Sequence, residues 1–292
     1  MTWIIVGGNG QLGTALNKEL SRSSIEKISL SREEIDITKA EQTERIASLN
    51  PSVIVNCAAW TDVDGAESHP SECREINIDG ALNLAKISKT LQIPFVQIST
   101  DYVFSGFRDT PWTTRDVMNP SSVYGASKAE AEGLIQKLYP EGSCIIRTAW
   151  LYSPWRKNFA KTILKRAIQD LPSKVVNDQY GQPTSAIHLA RKIIDLFMER
   201  TAQGIYHGTN SGVTTWFEFA KEIYRLAGKN PIHVTPVSSE EFPTVAQRPR
   251  YSVLSHDMWV SNGVEGMNDW RNALESVFPE IMQVTERELA DA

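Results

Sequence analysis

The sequence predicts an α/β chain: a doubly wound, parallel Rossmann sheet followed by a smaller C-terminal substrate-binding lobe. Three observations predict it. Short apolar runs alternate with helical periodicities as far as Trp150, the pattern of a parallel sheet with helices on both faces. The first apolar run leads straight into a glycine-spaced turn and a helix. Beyond Trp150 the rhythm loosens, as an appended lobe would require.

Thr2–Gly8 (TWIIVGG) is an apolar run ending in glycines, and Gln11–Arg22 carries Leu12, Ala15, Leu16 and Leu20 at helical spacing. Between them Gly7, Gly10 and Gly13 form GxxGxxG. Gly7 permits a tight turn, Gly10 lets a pyrophosphate approach the backbone, and Gly13 lets the helix pack close to its strand. An anion would rest beside Gln11 and Leu12, where free N–H groups and the helix dipole favour it.

Lys27–Ser31 (KISLS) reads as the second strand. A free ribose 2′-hydroxyl is usually met by an acid at the end of that strand. Here Arg32 follows Ser31, with Glu33 and Glu34 after it. An arginine there can face a 2′-phosphate, so NADPH is the expected cofactor and NADH the alternative. Asp36 and Ile37 are expected to border the adenine.

Thr38 and Glu41 predict a capping box opening a helix to about Leu49, which Asn50-Pro51 ends. Val53–Ala59 is a buried strand whose small last residues, Cys57, Ala58 and Ala59, would let a cofactor lie across it. Glu72–Gln92 reads as one long helix with Asn77 inside it. Pro94–Thr100 (PFVQIST) is a strand ending in hydroxyls, where ligands of open parallel sheets bind. Ser143–Ala149 is a further strand, after the helix that carries Tyr124.

In the second half, Lys157–Gln169 and Ile187–Arg200 read as helices and Gly204–Asn210 as a short strand. Thr215 with Glu218 caps a helix to about Leu226, which Gly228 stops. Ile232–Val237 is predicted as a strand and Asp269–Val277 as a helix. The expected division gives residues 1–150 to the dinucleotide-binding domain, with segments near 185–210 returning to it. Residues 151–292 would mainly form the substrate lobe, with the site between the two.

At 292 residues and 41% hydrophobic, the chain can bury roughly three quarters of its unfolded surface. A net charge of −5 without a basic block argues against a nucleic-acid partner. No apolar run reaches membrane-spanning length, and a first strand at Thr2 leaves no room for a signal peptide, so no membrane partner is expected. Cys57, Cys73 and Cys144 show no CxxC spacing and read as the reduced thiols of a cytoplasmic protein. The five histidines are scattered, and no metal site is expected.

The stretch Pro120–Glu132 (PSSVYGASKAEAE) sets Tyr124 four residues before Lys128. Residues four apart share a helix face, so phenol and ammonium can point into one cavity. A phenol ordinarily loses its proton near pH ~10, and a fixed cation is expected to draw that value down. Such a pair suits proton exchange with a carbonyl or alcohol.

Nine stretches carry a family resemblance: GGNGQLG (7–13), DIT (36–38), NCAAWTDVDGAE (56–67), STDYVF (99–104), NPSSVYGASKAEAE (119–132), RTAWLY (147–152), NFAKTIL (158–164), NDQYGQPT (177–184) and RPRYSVL (248–254). Together, in this order, they resemble the extended short-chain dehydrogenases/reductases, and within them the dTDP-4-dehydrorhamnose reductase family. The resemblance implies an active site of Thr100, Tyr124 and Lys128. Thr100 would hydrogen-bond the keto oxygen, Tyr124 would donate the proton, and Lys128 would hold the cofactor ribose and tune the phenol. It implies reduction of dTDP-4-dehydro-β-L-rhamnose to dTDP-β-L-rhamnose, with Tyr102, Trp150 and Asn158 near the sugar nucleotide. The implied partner is that small molecule, bound by a monomer or homodimer. Some relatives are described as metal-bridged dimers; here Glu280, Glu286 and Glu288 read as solvated surface.

One departure stands out. The loop before Tyr124 usually reads P-Y-x-E-x-D, whereas Pro111–Asp116 places Trp112 for the tyrosine and Thr114 for the acid, which leaves the loop's anchoring open. A dehydratase of the same superfamily would carry Asp-Glu after the threonine; Asp101-Tyr102 stands there instead. The remaining rivals are another sugar-nucleotide reductase or epimerase, and a non-catalytic NADP-binding regulatory subunit.

Overall fold

A computed structural model of the chain describes residues 1–199 and 202–291. The first half runs β1 (Trp3–Val6), α1 (Gln11–Arg22), β2 (Lys27–Leu30), α2 (Ala40–Glu44), β3 (Val53–Asn56), α3 (Val63–Ser68), α4 (Pro70–Arg74), α5 (Ala81–Leu91), β4 (Phe95–Thr100), α6 (Val123–Leu138) and β5 (Ser143–Thr148). It continues with β6 (Leu151–Tyr152), α7 (Phe159–Ile168), β7 (Ser173–Val176), β8 (Tyr180–Gly181), β9 (Thr184–Ser185), α8 (Ala186–Met198) and β10 (Gly204–His207). The last part is β11 (Thr214–Thr215), α9 (Trp216–Leu226), β12 (Val234–Val237), α10 (Asp257–Ser261) and α11 (Trp270–Ala290).

Among the described residues, six strands form one parallel sheet in the order β10-β5-β4-β3-β1-β2. The chain steps from β1 to β2 in one direction and returns to β3 on the other side of β1. A crevice opens at that reversal, above the strand C-termini. The alternation along β1 explains the two helix layers. Trp3 and Ile5 pack with α1 and α8, while Ile4 and Val6 pack with α5 and α6 on the other face. β10, from the later chain, pairs with β5 from Gly204↔Cys144 to His207↔Arg147. The remaining strands form short two-stranded ladders, β6 with β9, β7 with β12 and β8 with β11.

Several expected elements differ. The Thr38–Glu41 capping box does not form: Lys39 occupies the N-cap without a side-chain bond. Thr38 instead turns to Asp36, whose Oδ1 accepts from its amide (3.0 Å) and its hydroxyl (2.8 Å), a local turn that competes with capping. α2 ends at Glu44 and a 3₁₀ turn, Arg45–Leu49, finishes the segment.

The single helix expected over Glu72–Gln92 is divided into α4, a π-helical turn at Glu75–Gly80, and α5. The widened turn brings Asn77 inward, where its side chain accepts from Trp60 N (2.9 Å) and donates to Ser127 Oγ (2.9 Å). α3, absent from the sequence reading, is capped by Asp62, which accepts from Gly65 N at 3.0 Å. The Thr215 cap forms as expected, accepting from Glu218 N at 3.2 Å.

The C-terminal helix expected to end at Val277 continues to Ala290 through Pro279. Phe278, Ile281 and Thr285 remain buried on its inner face, so packing outweighs the lost backbone bond. Glu280 and Glu288 are ion-paired rather than merely solvated: Glu280 to Lys18 (3.0 Å), Glu288 to Lys161 (2.5 Å) and Lys165 (2.9 Å). Arg200, the expected end of the helix from Ile187, lies outside the described residues. Among those residues no helix is long and apolar enough to cross a membrane.

Candidate active site

The glycine turn closes as the spacing requires. Gly7 has φ +79°, and a Cβ there would stand 2.6 Å from the backbone nitrogen of Ala58. α1 starts at Gln11 with Gly10 at its N-cap and no side-chain cap, so its first N–H groups are left to an outside acceptor. These residues line one cleft of about 960 Å³, with Gly7, Gly10, Gln11 and Leu12 at the turn. Arg32, Asp36 and Ile37 line its part beyond β2, and Cys57, Ala58 and Ala59 the part after β3. A dinucleotide fits this donor set: backbone N–H groups for a diphosphate, small side chains for close approach, and a cation by the ribose end.

Burial tends to raise Asp36, but hydrogen bonds from Thr38 outweigh it and hold the carboxyl below its usual range. Burial pushes the Cys57 thiol up to about 12, so it forms a neutral, small wall of the cleft.

Thr100, Tyr124 and Lys128 line the same cleft. α6 begins where it does because Ser122 Oγ accepts from Gly125 N at 3.1 Å, which puts Tyr124 in its first turn. Gly125 lets that turn lie against the carbonyl of Tyr102, where a Cβ would collide. Thr100 ends β4. Its hydroxyl donates to Asp101 Oδ1 (3.0 Å) and accepts from Tyr102 N (3.2 Å). Burial raises Asp101 to about 6.

Here the expected electrostatics are corrected. Burial pushes the Tyr124 phenol above its ordinary value, the neighbouring Thr100 hydroxyl opposing it only in part. Lys128 does not draw it down: its ammonium donates to the carbonyl of Ile98 at 2.6 Å. Burial lowers Lys128 itself to about 8, against the opposing pull of Glu132.

Behind this pair lies a buried ion pair. Arg147 donates to Glu132 through Nε (3.1 Å to each oxygen) and Nη2 (2.7 Å), and Ser99 donates to the same carboxylate. Glu132 stands one turn beyond Lys128 on α6, and Ser99 immediately precedes Thr100.

Tyr102, which also lines the cleft, meets Tyr124 edge to face with ring centroids 5.7 Å apart. Trp150 lines the cleft but stacks on Trp216 at 3.6 Å, so one of its faces is already covered. Asn158 caps α7, accepting from Lys161 N (3.1 Å) and donating to Ser153 O (2.8 Å). That commits its amide to the helix start, although it too borders the cleft. The divergent loop is anchored after all: Trp112 stacks on Phe104 (4.6 Å) and donates to Tyr251 O (3.0 Å), while Asp116 accepts from Thr113 N and Arg108.

Several lining residues escaped the sequence reading, Trp216, Thr148 and Arg156 among them. Trp216 reads as the start of an amphipathic helix, and only the fold stacks it on Trp150. Thr148 lies opposite Thr100 in the ladder, with a buried hydroxyl lacking any hydrogen-bond partner among the described residues. Arg156 reaches the glycine turn from a loop. Thr148 alone left a signal, as a hydroxyl at a strand end.

Known proteins resemble this chain along nearly its whole length. A Streptomyces griseus protein called dTDP-4-dehydrorhamnose reductase is 38% identical, over 95% of this chain and 93% of its own. One from Streptomyces niveus called dTDP-4-keto-6-deoxy-D-glucose reductase is 36% identical, over 95% and 96%. The crystal structure of dTDP-4-dehydrorhamnose reductase from Bacillus anthracis in complex with NADP superimposes with a TM-score of 0.92 at 38% identity, covering 96% of this chain and 99% of that one. Residues 1–283 match the family model described as the RmlD substrate binding domain, and the chain belongs to that family.

Proposed function

We propose that this chain is an NADPH-dependent reductase that converts the 4-keto group of dTDP-4-dehydro-β-L-rhamnose to the alcohol of dTDP-β-L-rhamnose. The observation that carries the reading is that Thr100, Tyr124 and Lys128 line one cleft together with the glycine turn. The nicotinamide, when bound, supplies hydride to the carbonyl carbon. Tyr124 gives its proton to the carbonyl oxygen, and Thr100 holds that oxygen by turning its hydroxyl from Asp101 to donate to it. Lys128 fixes the cofactor ribose from one side of the phenol. Tyr102 and the Trp150–Trp216 stack bound the sugar nucleotide, and the Asn158 amide, already engaged in its cap, shapes the loop beside it.

In this reading residues 1–150 chiefly hold the cofactor and the later chain chiefly the sugar. The three free thiols suit a cytoplasmic protein.

The test is loss of NADPH absorbance with each of two 4-keto-6-deoxyhexose nucleotides, because the Streptomyces niveus relative is named for the other one. Tyr124→Phe keeps the ring and removes the proton, and should cut turnover by about 10²–10⁴-fold. Near-normal turnover in that variant removes Tyr124 from the mechanism. Cofactor binding without turnover of either sugar favours the regulatory-subunit reading.

A further inference from the structure

The loop between β6 and α7 crosses onto the glycine turn. Ser153 Oγ donates to Gln11 Oε1 (2.9 Å), and Gln11 Nε2 donates to Leu151 O (3.3 Å). The Lys18 ammonium lies 4.2 Å from the centre of the Trp155 ring. Arg156 Nε donates to the carbonyl of Asn9 at 2.6 Å. Arg156 also has φ +60°, a left-handed backbone that costs a non-glycine residue free energy and persists only where surroundings hold it.

Arg156 and Lys157 line the same cleft as Gly10, Gln11 and Leu12. Among the described residues neither cation forms an ion pair. They therefore border a helix start that has no side-chain cap of its own, so positive features converge there without a matching negative group. The remaining N–H groups of the guanidinium suit a bidentate bond to phosphate oxygens.

We infer that Arg156, supported by Lys157, clamps the diphosphate of the cofactor against the start of α1. The later half of the chain then helps to enclose the cofactor as well as to bind the sugar. The inference rests on the dinucleotide and not on the identity of the sugar, so it is read without turnover.

Arg156→Gly suits the left-handed backbone and removes the side chain, and Arg156→Gln keeps a polar side chain without charge. Dissociation constants would be measured for NADPH and NADH by dihydronicotinamide fluorescence, and for adenosine 2′-monophosphate by competition. In both variants NADPH and NADH should weaken alike, by about tenfold, the weight of one charge-assisted hydrogen bond. Adenosine 2′-monophosphate, which lacks the diphosphate, should stay within about twofold of the parent. Unchanged NADPH and NADH binding overturns the inference. So does a loss confined to NADPH and the monophosphate, which would assign Arg156 to the 2′-phosphate. Equal losses for all three ligands would make the effect a distortion of the loop and would overturn it too.

Discussion

Glu132→Gln should destabilise the chain by about 3–5 kcal/mol, the usual cost of removing one partner from a buried ion pair. The structure supports the upper class of effect, because the Glu132 and Arg147 side chains are only 1% and 2% exposed. Glutamine preserves the shape but not the charge, and its amide nitrogen must face either Ser99 Oγ or the guanidinium, which are donors toward Glu132. The Arg147 guanidinium is then left buried without a counter-charge. Its other neighbours are poor substitutes: His207 Nε2 at 3.4 Å and the Phe104 ring centre at 5.0 Å. His207, lowered to about 3 by burial and then by Arg147, stays neutral. With an unfolding entropy of about 2.1 cal/mol/K per residue, a chain of this length loses roughly 0.6 kcal/mol per degree near its midpoint. The midpoint should therefore fall by roughly 5–8 °C, measured by circular dichroism without cofactor. Glu132→Leu combined with Arg147→Met should recover most of that loss, since it removes both charges together. A Glu132→Gln midpoint within about 1 °C of the parent would refute the reasoning.

Lys128 and Arg32 carry the remaining predictions. Because Lys128 sits at about 8, kcat/KM should decline as pH rises above that value and the cation is lost. Glu132→Gln, by removing a carboxylate that favours the charged lysine, should move this decline to lower pH. Lys128→Arg stays charged and should lack the decline, at a lower plateau; persistence of the same limb would assign it to another group. Arg32→Ala should weaken NADPH by about tenfold and NADH little, in fluorescence titrations. Equal losses would return Arg32 to the solvated surface.

What could be read in advance was what depends on near neighbours. The apolar residues of α1, the glycines before it and the i, i+4 spacing of Tyr124 and Lys128 are local patterns, and the fold keeps them. The capping box failed because Asp36, two residues before Thr38, offered that hydroxyl a closer partner. The split of the long helix depends on Asn77 reaching Trp60 and Ser127, the latter 50 residues away. No helical period encodes that contact. α11 runs past the expected end at Val277 because the buried Ile281 and Thr285 that carry it through Pro279 make tertiary contacts. Arg156 and Trp216 belong to the same class. Each joins the cleft only when a later segment folds back on the first half.

The sign of the Tyr124 shift is the most instructive of these differences. Sequence spacing supplies a cation one turn away, and that alone argues for a lowered phenol. Burial acts the other way and is the larger effect, while Lys128 directs its proton to Ile98. For a reduction this is the useful sign. The phenol must reach the carbonyl still protonated, and an alkoxide developing there is a stronger base than even a destabilised phenolate, so transfer remains downhill. The oxidation of an alcohol would instead need a phenolate waiting in the site, which burial disfavours. In the proposed reduction the lysine would contribute chiefly by position, holding the ribose so that the proton and the carbonyl oxygen meet. This accounts for an ammonium anchored to β4 rather than aimed at the phenol.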